Sequence, residues 1–180
     1  VWLQKLNGWS QIDLQCLDAE LHNRPKLIAE KLREKIKQNR SQYQHIFVAY
    51  GDCGSGGEID RVLAEAGDSV ERLPGAHCYS FYAGEPRFTE IAEQELGTFY
   101  LTDFLVEHFD RLMIKGLKLD LHPQLRDQYF ANYKLVVYLS QREDSGLVVR
   151  AKAAAGFLGL EFRHEHSGYG DLENGLQEQI

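Results

Sequence analysis

Three thiols and a handful of imidazoles are the groups in this sequence best suited to covalent or metal chemistry. Two of the thiols stand in glycine-rich surroundings. Cys53 falls within Tyr50-Gly51-Asp52-Cys53-Gly54-Ser55-Gly56-Gly57, and His77-Cys78 follows Leu73-Pro74-Gly75-Ala76. Thiolate, not thiol, is the nucleophile and soft metal ligand of cysteine chemistry, and a helix N-terminus lowers the pKa that controls it. Cys53 lies just ahead of an apolar helical pattern, so its position suits a nucleophile or a ligand. Joined by His77 and Cys78, with His22 or His164 as a fourth group, it would make a thiolate-rich zinc site with an exchangeable position. No C-x-x-C pair or other metal-signature spacing is present, and a lone cysteine more often packs as a small apolar residue. The catalytic expectation therefore falls on Cys53 and Cys78, and the metal expectation on Cys53, His77, Cys78 and His22.

The glycine loop could also bind a ligand through its backbone. Four glycines within 51–57 let the main chain approach a ligand closely and aim amide N–H groups at an anion. Tyr50, Gly51, Asp52, Gly54, Ser55, Gly56 and Gly57 are the expected contacts, with Tyr169 of Gly168-Tyr169-Gly170-Asp171 bordering the same crevice. The dinucleotide fingerprint fails at Ile59, and the Gly-Lys-Ser/Thr of a P-loop is missing. Equally, these glycines suit a tight strand-to-helix turn. Two classes of function stay open. One is an enzyme or metal-dependent accessory factor working through thiolates. The other is a non-catalytic module whose 51–57 loop binds a small anionic ligand or docks a partner protein.

A scaffold must bring these loops together. Apolar and β-branched runs predict strands over 12–17, 45–50, 69–73, 134–140 and 160–164, while helical periodicity covers 26–39, 58–66, 147–158 and 172–179. From 85 to 132 the pattern reads as helical throughout. Strands alternating with helices imply right-handed parallel crossovers. The expected fold class is α/β: a Rossmann-like three-layer sandwich with one mainly parallel sheet of four to five strands and a helical insertion at about 85–132. In such sheets ligands bind beyond the strand C-termini, the edge on which both cysteine loops fall.

At 180 residues with 43% apolar content, a single domain over 1–180 can build its own core. The opening at Val1 suggests that a natural N-terminal strand precedes it. Lys and Arg number 20 against 27 Asp and Glu, a net charge of −7, which disfavours nucleic acid. No apolar run approaches the roughly 18 residues a membrane span requires. An odd cysteine count without a signal peptide points to a reducing, cytoplasmic compartment with all three thiols free.

Taken together, Leu21-His22-Asn23-Arg24-Pro25, Tyr50-Gly51-Asp52-Cys53-Gly54, Leu73 to Cys78, Gly97-Thr98-Phe99-Tyr100-Leu101-Thr102-Asp103 and Gly168 to Leu172 resemble domain-of-unknown-function family 1638, over nearly the whole chain. The resemblance implies a setting beside corrinoid proteins and methyltransferases that demethylate methylamines or betaines. No reaction comes with it. It singles out Cys53 and Cys78, with Gly51 and Gly54, and it implies corrinoid-linked one-carbon chemistry in which zinc, or a corrinoid or folate-type carrier brought by a partner, serves the thiolates.

Overall fold

The computed structural model describes residues 2–179, and for Trp2, Leu3 and His22 the backbone alone. In chain order the regular elements are α1 (Trp2–Leu6), α2 (Ile28–Asn39), β1 (Ile46–Val48), α3 (Glu58–Ala66), β2 (Val70–Arg72), α4 (Cys78–Ala83), α5 (Glu85–Gln94), β3 (Thr98–Thr102), α6 (Asp103–Glu107), α7 (Gln124–Tyr129), β4 (Leu135–Ser140), α8 (Ser145–Leu158), β5 (Glu161–His166) and α9 (Gly170–Gln177). The chain divides into two compact units, 1–81 with 169–180, and 82–168. None of the described helices is long and apolar enough to cross a membrane.

The first unit carries a two-stranded parallel sheet, β1 beside β2, with Ile46 opposite Val70 and Val48 opposite Arg72. The crossover between them is α3, whose Ile59, Val62, Leu63 and Ala66 recur at helical spacing and are all buried. They meet Val48, Val70 and the inner face of α2, Ile28, Leu32 and Ile36, in one apolar cluster. Because both strands point the same way, the loops that follow them, 49–57 and 73–77, leave from the same end of the sheet.

The second unit is built on a three-stranded parallel sheet in the order β3-β4-β5. Its central strand is covered on both faces, with Val136, Val137, Tyr138 and Leu139 at 0% exposure, as expected of a continuous apolar run. Thr102 caps α6 by accepting the Leu105 amide, and Asp144 caps α8 by accepting those of Gly146 and Leu147.

Three expectations change. All observed strands are parallel, but they form two hydrogen-bonded sheets of two and three strands rather than one sheet of four to five. The stretch 85–132 is not wholly helical: Thr98-Phe99-Tyr100-Leu101-Thr102 is a strand, paired along its length with β4, because its β-branched and aromatic residues favour an extended chain. The alternating segment 12–17 forms no strand. Alternation qualifies a segment for a half-buried strand only where an edge is there to pair with it; Leu14 instead is 41% exposed, while Leu17 packs on the first unit's core.

Candidate thiol site

The loops after β1 and β2 are laced together by their backbones. Asp52 N donates to Gly75 O at 3.1 Å and Cys53 N to Ala76 O at 2.8 Å. So close is the approach that a Cβ on Gly51 would lie 2.8 Å from both the Cys78 nitrogen and the His77 carbonyl carbon, which explains why only glycine serves there. Arg72 supports the second loop from below. Its guanidinium holds Asp60 through Nε and Nη2 at 2.6 and 2.9 Å and donates from Nη1 to the Leu73 and Gly75 carbonyls at 2.7 and 3.3 Å.

This lacing delivers Cys78 onto Cys53. The Cys78 amide donates to the Cys53 sulfur at 3.4 Å, and the Cys78 thiol hydrogen-bonds the same sulfur. That thiol contact is the main reason the Cys53 pKa falls to about 7; the amides of Cys78 and Gly51 help, against the opposing pull of burial and the Asp52 charge. Cys78 moves the other way, its thiol pushed well up because its proton serves Cys53 and because it is buried. The pair thus behaves as one thiolate with one thiol donor. Cys53 itself sits at φ 47°, in left-handed backbone uncommon for a non-glycine residue.

The glycine loop is organised around an anion of its own. Asp52 Oδ1 accepts the Ser55 hydroxyl at 2.6 Å and the Gly57 amide at 2.7 Å, and Oδ2 accepts the Gly56 amide at 3.2 Å. These donors, the Ser55 hydroxyl first, hold the Asp52 carboxyl below the usual carboxylate range. The N-terminus of α3, entered through Gly57 at φ 83°, already faces a carboxylate. An external anion would have to displace Asp52. The low pKa of Cys53 therefore arises from Cys78 and Gly51 rather than from this helix end.

Tyr50, an expected ligand contact, packs against the first unit's core and lies within electrostatic reach of the sulfurs. Its hydroxyl is pushed up to about 12, first by burial and then by the sulfurs of Cys78, Cys53 and Cys16. Cys16, which the sequence marks only as the third cysteine, is exposed and lines a cleft of about 410 Å³ with Arg24, Lys31 and Glu34. All three cysteines are free thiols. Tyr169 stands at the N-cap of α9 in the same unit, His164 lies on β5 in the second, and the His22 side chain falls outside the described residues. Among the described residues no group of three or more His, Cys, Asp and Glu side chains is arranged to hold a metal ion. Cys53 and Cys78 supply two sulfurs toward a tetrahedral set and not a complete one.

Comparisons with curated proteins and with solved structures find no match. One family model, "Protein of unknown function (DUF1638)", matches residues 16–176. The match runs from Cys16 to the last turn of α9 and takes in both laced loops and all five strands among the described residues, so the chain belongs to the DUF1638 family.

Proposed function

We propose that the first unit is a thiolate site for methyl-group handling in corrinoid-linked one-carbon metabolism, with Cys53 as nucleophile and Cys78 as the donor that holds it in the thiolate form. The observation that carries the reading is the hydrogen bonding of one cysteine, through amide and thiol, onto the sulfur of the other. A thiolate half-ionised near pH 7 attacks a methyl carbon in-line: the S–C bond forms, the bond to the donor's leaving atom breaks, and that atom keeps the electron pair. The methyl donor would be a corrinoid or folate-type carrier presented by a partner corrinoid protein or methyltransferase, the setting that the family resemblance implies. A reducing, cytoplasmic location belongs to the same proposal, since the nucleophile must stay unoxidised.

Exposing the protein to methyl iodide and to a methylated corrinoid, followed by peptide mass spectrometry, tests the reading. A methyl adduct on Cys53 ahead of Cys16, slowed in Cys78→Ala, is expected. Preferential labelling of Cys16, or equal rates in the variant, overturns it. Zinc held by Cys53, His77, Cys78 and His22 is a second proposal, supported by the two converged sulfurs. Plasma emission analysis should then find about one zinc per chain, lost in Cys53→Ser and Cys78→Ser; equal content in parent and variants refutes it. The parallel β-α-β connections of each unit also support a Rossmann-like, three-layer kinship for the fold.

A further inference from the structure

The second unit holds a polar cluster that the thiol reading does not use. Ser140 is the last residue of β4 and 1% exposed. In the sheet register it lies opposite His166, as Tyr138 lies opposite His164, so these four side chains share one face. Both imidazoles turn a nitrogen onto the serine: His164 Nε2 lies 2.9 Å from Oγ and His166 Nδ1 lies 3.0 Å from it. Neighbouring groups hold the arrangement. The Tyr138 ring stacks on His164 with centroids 5.2 Å apart and planes 18° apart, and its hydroxyl donates to Asp103 Oδ1 at 2.7 Å. Asp103 in turn accepts the amides of Gln141 and Arg142 and the Arg142 guanidinium. Beyond His166 the chain is tied back, the amides of Ser167 and Gly168 donating to the Ser140 carbonyl.

One hydroxyl carries one proton, and this fixes both rings. To make both bonds, Ser140 must accept N–H from one imidazole and donate O–H to the bare nitrogen of the other. If both rings donated, the buried hydroxyl proton would be left without a partner, which is unfavourable. Two arrangements satisfy the geometry. In the first, both rings carry their proton on Nε2: His164 donates to Oγ and Oγ donates to His166 Nδ1. In the second, both carry it on Nδ1 and every bond is reversed. In each, the exposed histidines turn one bare nitrogen and one N–H away from the serine.

We propose that Ser140, His164 and His166 form an acid–base site in which the serine hydroxyl relays a proton between the two imidazoles. A ligand proton arriving at Nδ1 of His164 sends the Nε2 proton to Oγ, the Oγ proton to Nδ1 of His166, and the Nε2 proton of His166 outward. One proton enters and one leaves, no charge accumulates, and both tautomers invert. The matching ligand offers a proton beside an acceptor, as a carboxylic acid, an amide or a phosphate monoanion does. This site is independent of the cysteines.

Histidine-selective 15N NMR on the full chain is the test. With both rings neutral at alkaline pH, they should show the same tautomer. Ser140→Ala should change the ratio of the two tautomers, and Ser140→Thr, which keeps a hydroxyl, should restore it. Opposite tautomers in the two rings, or a ratio unchanged in Ser140→Ala, overturns the relay.

Discussion

Cys53 reacts, on this structure, through another cysteine. With its pKa at about 7, alkylation by iodoacetamide should rise about tenfold per pH unit below 7 and level off above it, since only the thiolate attacks. The midpoint follows from Cys78: its thiol bonds the thiolate more strongly than the neutral sulfur, so Cys78→Ala should move the midpoint upward, toward the ordinary cysteine value of about 8.5. A midpoint unmoved in the variant would return the effect to the surrounding amides. The sequence pointed to this residue for a reason that does not hold. Position 53 precedes a helix, but Asp52 already accepts the Gly56 and Gly57 amides that lead into it. What sets the pKa is a pairing 25 residues apart in sequence, and spacing alone does not encode it. The electrostatic reach of Cys16 to Tyr50 is equally a product of folding.

At the level of elements, legibility followed the local residue pattern more than burial, since β5 has no buried residue and β3 has three. The run 58–66 became α3 with the bounds its periodicity marked, and β4 and β5 arose from the runs around 134–140 and 160–164. Strand β3 escaped because flanking helical patterns on both sides masked five residues of strong β preference. The segment 12–17 failed for the converse reason, its alternation finding no partner strand. Between elements, Arg72 is the tie beneath the reactive loops. Its side chain is 12% exposed, and its bidentate partner Asp60 lies on α3. Replacing Arg72 by Met keeps the stem and removes every hydrogen bond to Asp60, Leu73 and Gly75. The variant should lose about 1–3 kcal/mol of stability, the range for charged hydrogen bonds partly screened at a surface, in denaturant titration. Its Cys53 should also react more slowly at pH 7, because the loop that presents Cys78 is less firmly held. Full stability together with full reactivity would remove Arg72 from the site's support.

For the molecule as a whole, two glycines in helices make a controlled pair. Gly156 in α8 has open space around its missing Cβ, whereas at Gly175 in α9 a Cβ would lie 2.6 Å from Leu73 Cδ2 and 3.1 Å from its Cγ. Alanine in place of a helical glycine ordinarily gains up to about 1 kcal/mol, while overpacking costs about 1–3 kcal/mol. Gly156→Ala should therefore raise the melting temperature and Gly175→Ala lower it, each by a few degrees in a chain of this size; a rise in both would mean Leu73 yields freely. The carboxylate of Asp52 carries a different consequence. Removing it by Asp52→Ala leaves the amides of Gly56 and Gly57 and the Ser55 hydroxyl without their acceptor, which should cost about 0.5–2 kcal/mol. It also opens a cradle with the shape and charge of a carboxylate at a helix N-terminus. Formate or acetate in the buffer should then substitute for the missing side chain, raising the variant's melting temperature in proportion to the logarithm of anion concentration while leaving the parent unmoved. Such chemical rescue would make the protein a reporter for small carboxylates, its folding coupled to a ligand that the intact chain carries within itself.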